Sequence, residues 1–326
     1  MNDRHGRDMP LRFTLRQLEY FVAVGEHGSI AQAAERLNIS SPSISTAISQ
    51  LEAEFGLQLF IRRHAHGLAL TQGGARFLDH ARDLLERAGG LNDLANDITG
   101  TVRGPLNVGC LVTFAQIVLP KLRRGFVDRY PEVEFRQYER DQAELFDALR
   151  AARLDVALTY DLNIPADLEF LPLMSLPPFA LLPEGHALAG RPSVTPEDLA
   201  QYPMVLLDLP MSAEYFLSFF RQRGIAPRIV ERTRDVAVMR SLVANGFGYS
   251  VANARPLTEL SPDGHRLSFV PMVGPVRTLK LGLLFAEGAR NTRTIGAFAE
   301  HAQAEIAPDR LATLQVAAPD AGDNPR

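Results

Sequence analysis

Ser41, Ser43, Ser45, Thr46, Ser49 and Gln50 fall on one face of a predicted helix, with no charge until Glu52. Short polar side chains let a helix approach base edges and phosphate oxygens closely, and a positive helix N-terminus at Ser41 to Ser43 favours a phosphate. A helix present only for solubility would carry Lys and Glu here, because Ser and Thr are weak helix formers. The face is therefore read as groove-facing, against the plainer alternative of a Ser-rich surface helix without a partner. Further on, Leu59 to Thr71 holds two short apolar runs around the basic turn Arg62-Arg63-His64-Ala65-His66-Gly67. That pattern reads as a two-stranded wing with Arg62 and Arg63 toward a phosphate backbone, or more plainly as a polar hairpin tip.

Three helix starts must position these groups. Thr14-Leu15-Arg16-Gln17 has the spacing of a capping box, Ser29-Ile30-Ala31-Gln32 repeats it, and Ser41-Pro42 reads as a hydroxyl cap followed by proline at the first helical position. Leu15, Leu18, Phe21 and Val22, then Ile30, Ala33, Ala34 and Leu37, then Ile44, Ala47, Ile48 and Leu51 recur at steps of three and four, giving each helix one buried stripe. Only Asn38-Ile39-Ser40 separates the second helix from the third, which suits the near-perpendicular turn of a helix-turn-helix.

On these motifs, Phe13 to about Phe77 resembles the N-terminal module of the LysR-type transcriptional regulators. Phe13-Thr14-Leu15-Arg16-Gln17-Leu18 with Phe21, Gly28 to Leu37, Ser41 to Ile48, Leu51-Glu52, Phe55 to Phe60, Arg62, and Leu70-Thr71 with Gly74 carry the likeness. The resemblance implies a double-stranded operator contacted by Gln32, Ser41, Pro42, Ser43, Ser45, Thr46, Arg62 and Arg63. Two positions depart from it, since the family often has Gln at Ser41 and Arg at Thr46, so long-armed base readout is reduced and no operator preference carries over.

From Phe77, the positions Phe77, Ala81, Leu84, Ala88, Leu91, Ala95 and Ile98 alternate steps of four and three along one long helix from near Thr71. This predicts a seam, either between two copies, as the family's paired linker helix implies, or against the helix's own domain; Gly89-Gly90 should bend or fray it. Thr99 to Pro105 is small, polar and broken by Gly and Pro, hence a hinge.

Beyond the hinge the rhythm changes. Leu106–Cys110, Val133–Tyr138 and Asp155–Tyr160 read as strands alternating with helices over Phe114–Tyr130 and Ala143–Ala151. A second set follows: strands from Phe179, Met204–Leu207, Arg228–Arg232 and Phe247–Val251, with helices over Ala213–Arg223 and Val236–Asn245. Strand Arg277–Ala286 and a helix from Thr292 to about Ile306 return the chain to the first set. The fold class is α/β in two lobes joined by two crossings. Leu119-Pro120, Tyr130-Pro131, Leu154 to Ala157 and Val243 to Gly248 resemble landmarks of the family's effector domain, a fold like the periplasmic binding proteins with its ligand in the cleft.

Ligands in open α/β sheets sit beyond strand C-termini, which points to Thr113 and Phe114 after the first strand, Thr159 at the end of another, and Ser212 opening a helix. Each could equally be a plain cap or strand-end hydroxyl. The resemblance adds that Thr113 and Thr159 fall where relatives use hydroxyls on the ligand, and that Leu111 replaces a position that is often polar. Asp161, Asp208 and Asp235 also lie near element ends, Asp235 in the manner of an N-cap. The expected organisation is an arm (1–12), a DNA-binding unit (13–70), a dimerising helix (71–98), a hinge (99–105), an effector unit (106–306) and a disordered tail (307–326). Within the effector unit, one lobe covers about 106–175 and 272–306, the other about 176–271.

Other classes are weighed against the same residues. There is no Gly-x-Ser-x-Gly elbow, phosphate loop or HExxH pair, so neither an enzyme nor a cofactor is expected, and no Cys/His cluster supports a metal. Cys110 is the only cysteine, which excludes a disulfide within one chain. A solute-binding protein would not need the N-terminal module; a DNA-binding architectural protein without effector stays open. Met1 to Pro10 has no signal-peptide core and no apolar run approaches the roughly 18 to 20 residues of a span, giving a cytoplasmic expectation without membrane partners. RNA polymerase is a possible partner.

The 326 residues carry a net charge of −4, and residues 11 to 70, which cover the DNA module, balance. Arg12, Arg16, Arg36, Arg62 and Arg63 stand against Glu19, Glu26, Glu35, Glu52 and Glu54. Few phosphate contacts per copy follow, so affinity depends on a homodimer, or a tetramer at higher order. In a gel shift, a full imperfect palindrome should bind roughly a hundredfold more tightly than one half-site, and equal affinities would contradict this.

Overall fold

In the computed structural model, residues 11–63, 67–307 and 315–316 are described. The arm through residue 10, the wing tip at 64–66 and most of the expected tail lie outside them. The chain divides into two units, Met1–Ala95 and Asn96–Arg326.

In the first unit, α1 (Leu15–His27), α2 (Ile30–Leu37) and α3 (Ser41–Phe55) all start on hydroxyls. Thr14 Oγ1 accepts from the Gln17 amide at 3.2 Å while Gln17 Oε1 accepts from the Thr14 amide at 2.8 Å, a complete capping box. Ser29 accepts from the Gln32 amide, but no return bond from the Gln32 side chain completes the second box. The cap of α3 is Ser40 rather than Ser41. Pro42 thus sits at the second helical position, where a missing N–H still deprives no intrahelical carbonyl. Asn38, left-handed at φ 54°, ends α2 and leaves only Ile39 and Ser40 before α3.

Leu18, Phe21, Val24, Ala33, Ile44 and Leu51 meet in one core with Leu59 and Phe60. Leu15 is 45% exposed, because at the first helical position it precedes the stripe that Leu18, Phe21 and Val24 bury. Glu52 Oε1 accepts from the amides of Leu59 (2.8 Å) and Phe60 (3.3 Å), tying α3 to the wing. The wing pairs β1 (Phe60–Arg63) antiparallel with β2 (Gly67–Leu70).

Thr71 starts α4 (Gln72–Thr99), accepting from the Gly74 amide at 2.8 Å and donating to Gln58 O at 2.7 Å. The expected seam divides. Phe77 and Ala81 pack into the core of their own unit, whereas Leu84, Leu91 and Ile98 are exposed, together with Leu94, which the heptad did not include. The helix is continuous through Gly89-Gly90; about 1 kcal/mol per glycine does not end a helix that propagates from both sides.

The second unit opens with β3 (Gly104–Leu111), α5 (Val112–Ala115), α6 (Leu119–Arg129), β4 (Val133–Arg140), α7 (Gln142–Arg150), β5 (Val156–Tyr160) and β6 (Leu168–Leu176). It continues with β7 (Phe179–Pro183), α8 (Pro196–Leu199), β8 (Pro203–Leu207), α9 (Ser212–Arg221), β9 (Arg228–Thr233), α10 (Val236–Ala244) and β10 (Ser250–Ala252). Then come β11 (Leu267–Pro271), β12 (Leu279–Ala286) and α11 (Arg293–Glu305). One sheet has the order β4-β3-β5-β12-β6, with β3 parallel to β4 and β5 and β12 antiparallel to its neighbours. The other lobe pairs β10-β7-β11 and β8-β9. The chain passes between the lobes after β6 and again before β12.

Several expected boundaries shift for local reasons. Pro105 lies inside β3 rather than in the hinge. Gly104 N donates toward β4, at Glu132 O, so the nitrogen of Pro105 faces β5, whose pairing with β3 begins only at Val108. The single helix expected over Phe114–Tyr130 is two, α5 and α6, because Pro120 could not bond back from a helix interior. Strands β6 and β11 were not foreseen. β10 starts at Ser250, after Tyr249 has joined the β8 edge: its amide donates to Pro203 O (2.9 Å) and its carbonyl accepts from Val205 N (2.8 Å). A Cβ at Gly248 would collide with the Pro203 carbonyl.

A Cβ at Gly74 would collide with Leu59 O, where α4 starts against the wing. Gly74→Ala should therefore destabilise the first unit by about 1–3 kcal/mol in urea unfolding, whereas Gly89→Ala, in open space, should be neutral or slightly stabilising. Equal effects at the two sites would contradict the packing.

Candidate functional site

The first unit presents α3. Ile44, Ala47, Ile48 and Leu51 are buried, leaving Pro42, Ser43, Ser45, Thr46, Ser49 and Gln50 exposed and Ser41 half-buried. Two of these polar groups are already engaged. The Ser43 hydroxyl is 2.7 Å from that of Ser40, and Gln50 Oε1 accepts from Gln17 Nε2 at 2.7 Å. Ser45, Thr46 and Ser49 keep their side chains at the surface, and Gln32 is exposed on α2. Arg62 and Arg63 lie on β1 opposite Leu68 and Gly67; their side chains lie outside what is described.

In the second unit a cavity of about 450 Å³ opens between the lobes. Thr113 and Gln116 reach it from α5 and the turn that follows, Tyr160 from the end of β5, and Ser212 from the start of α9. Arg240 on α10, Asn253 just past β10, and the stretch between β10 and β11 with Pro256, Leu257 and Thr258 close the other side. Phe179, Leu181, Leu207, Met239 and Phe269 make the wall largely apolar.

Of the residues expected here, Thr113 and Ser212 line the cavity. Ser212 is not a cap: Met211 precedes it at φ 64° and ψ −40°, a strained conformation for a side-chain-bearing residue, and Ser212 Oγ is buried without a hydrogen-bond partner. Thr113 Oγ1 lies close to the Tyr160 phenol but outside hydrogen-bond geometry. Leu111, Phe114 and Thr159 do not line the cavity. Leu111 and Phe114 are core residues, Phe114 meeting the Tyr160 ring edge-on at 4.5 Å. Thr159 is fully buried, since successive strand residues face opposite ways and it is Tyr160 that turns toward the opening.

The three aspartates singled out are engaged elsewhere. Asp161 holds Arg277 (3.2 Å) and the Lys280 amide (2.8 Å), Asp208 holds Arg232 (3.2 Å), and Asp235 caps α10. Asp263, one residue past the lining Pro262, accepts from Ser261 Oγ and Asn245 Nδ2, both at 2.6 Å, and these bonds hold its carboxyl down to about 2.

Arg240 is thus the one charged residue among the described residues lining the cavity. It is 7% exposed, and its Nη2 donates to Leu260 O (2.6 Å) and Thr258 O (3.2 Å). Its guanidinium carbon lies 6.0 Å from the Phe269 ring centre. No carboxylate pairs with it among the described residues, and burial draws its pKa below the usual guanidinium value. Nothing in the local sequence around Arg240 or Asn253 marks them, because the groups that hold them in place lie 18 to 77 residues away in the chain. Burial pushes the Cys110 thiol well above its ordinary range, so it is packing rather than a reactive group.

A three-helix unit with a wing, followed by a long helix and a two-lobed α/β unit around a cavity, is the architecture of a ligand-responsive DNA-binding regulator. Residues 15–75 match the family model for bacterial regulatory helix-turn-helix proteins of the lysR family, and residues 99–307 that for the LysR substrate binding domain. The chain belongs to the LysR family of transcriptional regulators, DNA-binding proteins with an effector-binding domain and not enzymes. It is 32% identical to the transcriptional activator protein LysR of Escherichia coli over 247 residues, 76% of this chain and 78% of that protein. The crystal structure of HinK, a LysR family regulator from Pseudomonas aeruginosa, is 38% identical, with TM-score 0.61 over 90% of this chain and 99% of that one. CbnR, solved full-length with its target DNA, is 26% identical, with TM-score 0.61 over 89% and 98% of the two chains. Among the described residues no helix is long and apolar enough to cross a membrane.

On this basis Ser45→Ala should weaken operator binding without lowering the unfolding temperature. Arg62→Ala should reduce the slope of log K against log salt by about 1; an unchanged slope would remove Arg62 from the phosphate contacts.

Proposed function

We propose that the protein binds an operator as a dimer or higher homo-oligomer through α3 and the wing, and that an anionic small molecule with an apolar body, held between the lobes, controls it. Support for the first part comes from the exposed Ser45, Thr46 and Ser49 and from the unburied Leu84, Leu91, Leu94 and Ile98 on α4, a face suited to a second copy.

Support for the second part comes above all from Arg240. A buried guanidinium with no carboxylate is electrostatically incomplete, and a carboxylate or similar oxyanion would complete it with charge-assisted bonds. Apolar walls would cover the rest of such a ligand, while Thr113, Ser212 and Tyr160 would fix its orientation. Control follows if the anion favours one arrangement of the lobes over another. The burial of Cys110 favours metabolite binding over thiol oxidation.

Calorimetry on the full chain with a panel of aromatic and aliphatic monocarboxylates, against the matching neutral amides, tests this. At least one acid should bind while its amide does not, and Arg240→Gln should weaken the acid roughly 10- to 100-fold with operator affinity in its absence unchanged. Amides binding as well as acids, or binding indifferent to Arg240, would contradict the proposal.

A further inference from the structure

Asn253 is 1% exposed, lines the cavity, and has one amide atom bonded and one not. Its Nδ2 donates to Leu176 O at 2.8 Å and to Tyr215 Oη at 3.0 Å. Tyr215 Oη in turn donates to Arg277 O at 2.6 Å. The orientation of the amide follows from these partners: a carbonyl can only accept, and a phenol that spends its proton on Arg277 O must accept as well, so the NH2 group faces both. Oδ1 is therefore the atom left over, buried without a donor, an unfavourable state that a donor on a ligand would relieve.

Leu176 ends β6 at the first crossing between the lobes, and Arg277 precedes β12 at the second. The Asn253–Tyr215 pair is thus bonded to both crossings, and Arg277 is fastened further by Nη2 donating to Asp161 O at 2.7 Å. A ligand that moves Asn253 pulls on the two segments about which the lobes can rotate.

We propose that Asn253 sets effector specificity and transmits occupancy to the crossings: Oδ1 accepts from an O–H or N–H on the effector, while Nδ2 holds Leu176 and, through Tyr215, Arg277. Resting on the effector reading of the cavity, this narrows the ligand to an anion that also carries a hydrogen-bond donor on its apolar body, a hydroxylated or amino-substituted acid. Arg240 takes the charge, and Asn253 the donor.

The test uses the full chain and benzoate, phenylacetate and 3-phenylpropanoate, each beside its ring-hydroxylated counterparts. In the wild type at least one hydroxylated acid should bind about tenfold or more tightly than its parent, and should slow amide exchange more than the parent does in peptides covering both 174–180 and 274–280. In Asn253→Leu the ratio of the two affinities should fall toward one, and the exchange difference should vanish at both crossings. Should that variant not fold, Asn253→Ser, whose hydroxyl is too short to span the same partners, carries the same comparison. Arg240-dependent binding with no hydroxyl preference in any pair would overturn the role of Asn253 and leave the anion reading standing. If no acid binds, or binding ignores Arg240, the effector reading fails and this inference fails with it.

Discussion

A buried guanidinium has to be compensated, and in the second unit that requirement organises everything around the cavity. Arg240 leaves α10 to bond the carbonyls of Thr258 and Leu260 and lies against Phe269. The chain between β10 and β11 is thereby pinned as a wall rather than left as a free loop. Carbonyls and a ring face offset part of the desolvation of the charge; an anion would offset more. Asp161, Asp208, Asp263 and Asp235 are committed to Arg277, Arg232, Ser261 and the start of α10, and among the described residues no carboxylate pairs with Arg240.

The first unit works under a different constraint. With arginines and glutamates balanced over residues 11 to 70, it has no broad positive field there, and its surface helix offers hydroxyls in place of charge. Such a unit gains specificity from close fit and affinity from being presented in more than one copy. The exposed apolar side chains of α4 are consistent with that demand. They begin only after Phe77 and Ala81 have been used inside the unit, so one helix is buried in its own core at the start and exposes apolar side chains further along.

The two units differ in how far they could be read from residues alone. Caps, apolar stripes and the short turn before α3 are local signals, and they placed α1 to α4 within a residue or two. Even there, the Ser29 box was half complete and the cap was Ser40, since neighbouring serines are chemically interchangeable as caps until the backbone chooses one. In the second unit Thr113 and Ser212, picked from strand–helix junctions, line the cavity, and Leu111, Phe114 and Thr159 do not, because a junction says where the chain is but not which way each side chain turns. Arg240 and Asn253 could not be seen at all, because their importance comes from contacts 18 to 77 residues away in the chain.

Binding, specificity and movement all converge on one geometry in this account: an anion seated between the lobes against Arg240. The most direct measurement is a crystal structure of the protein with the tightest-binding acid of a monocarboxylate panel. The expected result is a carboxylate within hydrogen-bond distance of the Arg240 guanidinium, with the apolar body inside the cavity of about 450 Å³. A ligand bound outside that cavity, or inside it with the carboxylate turned away from Arg240, would contradict it.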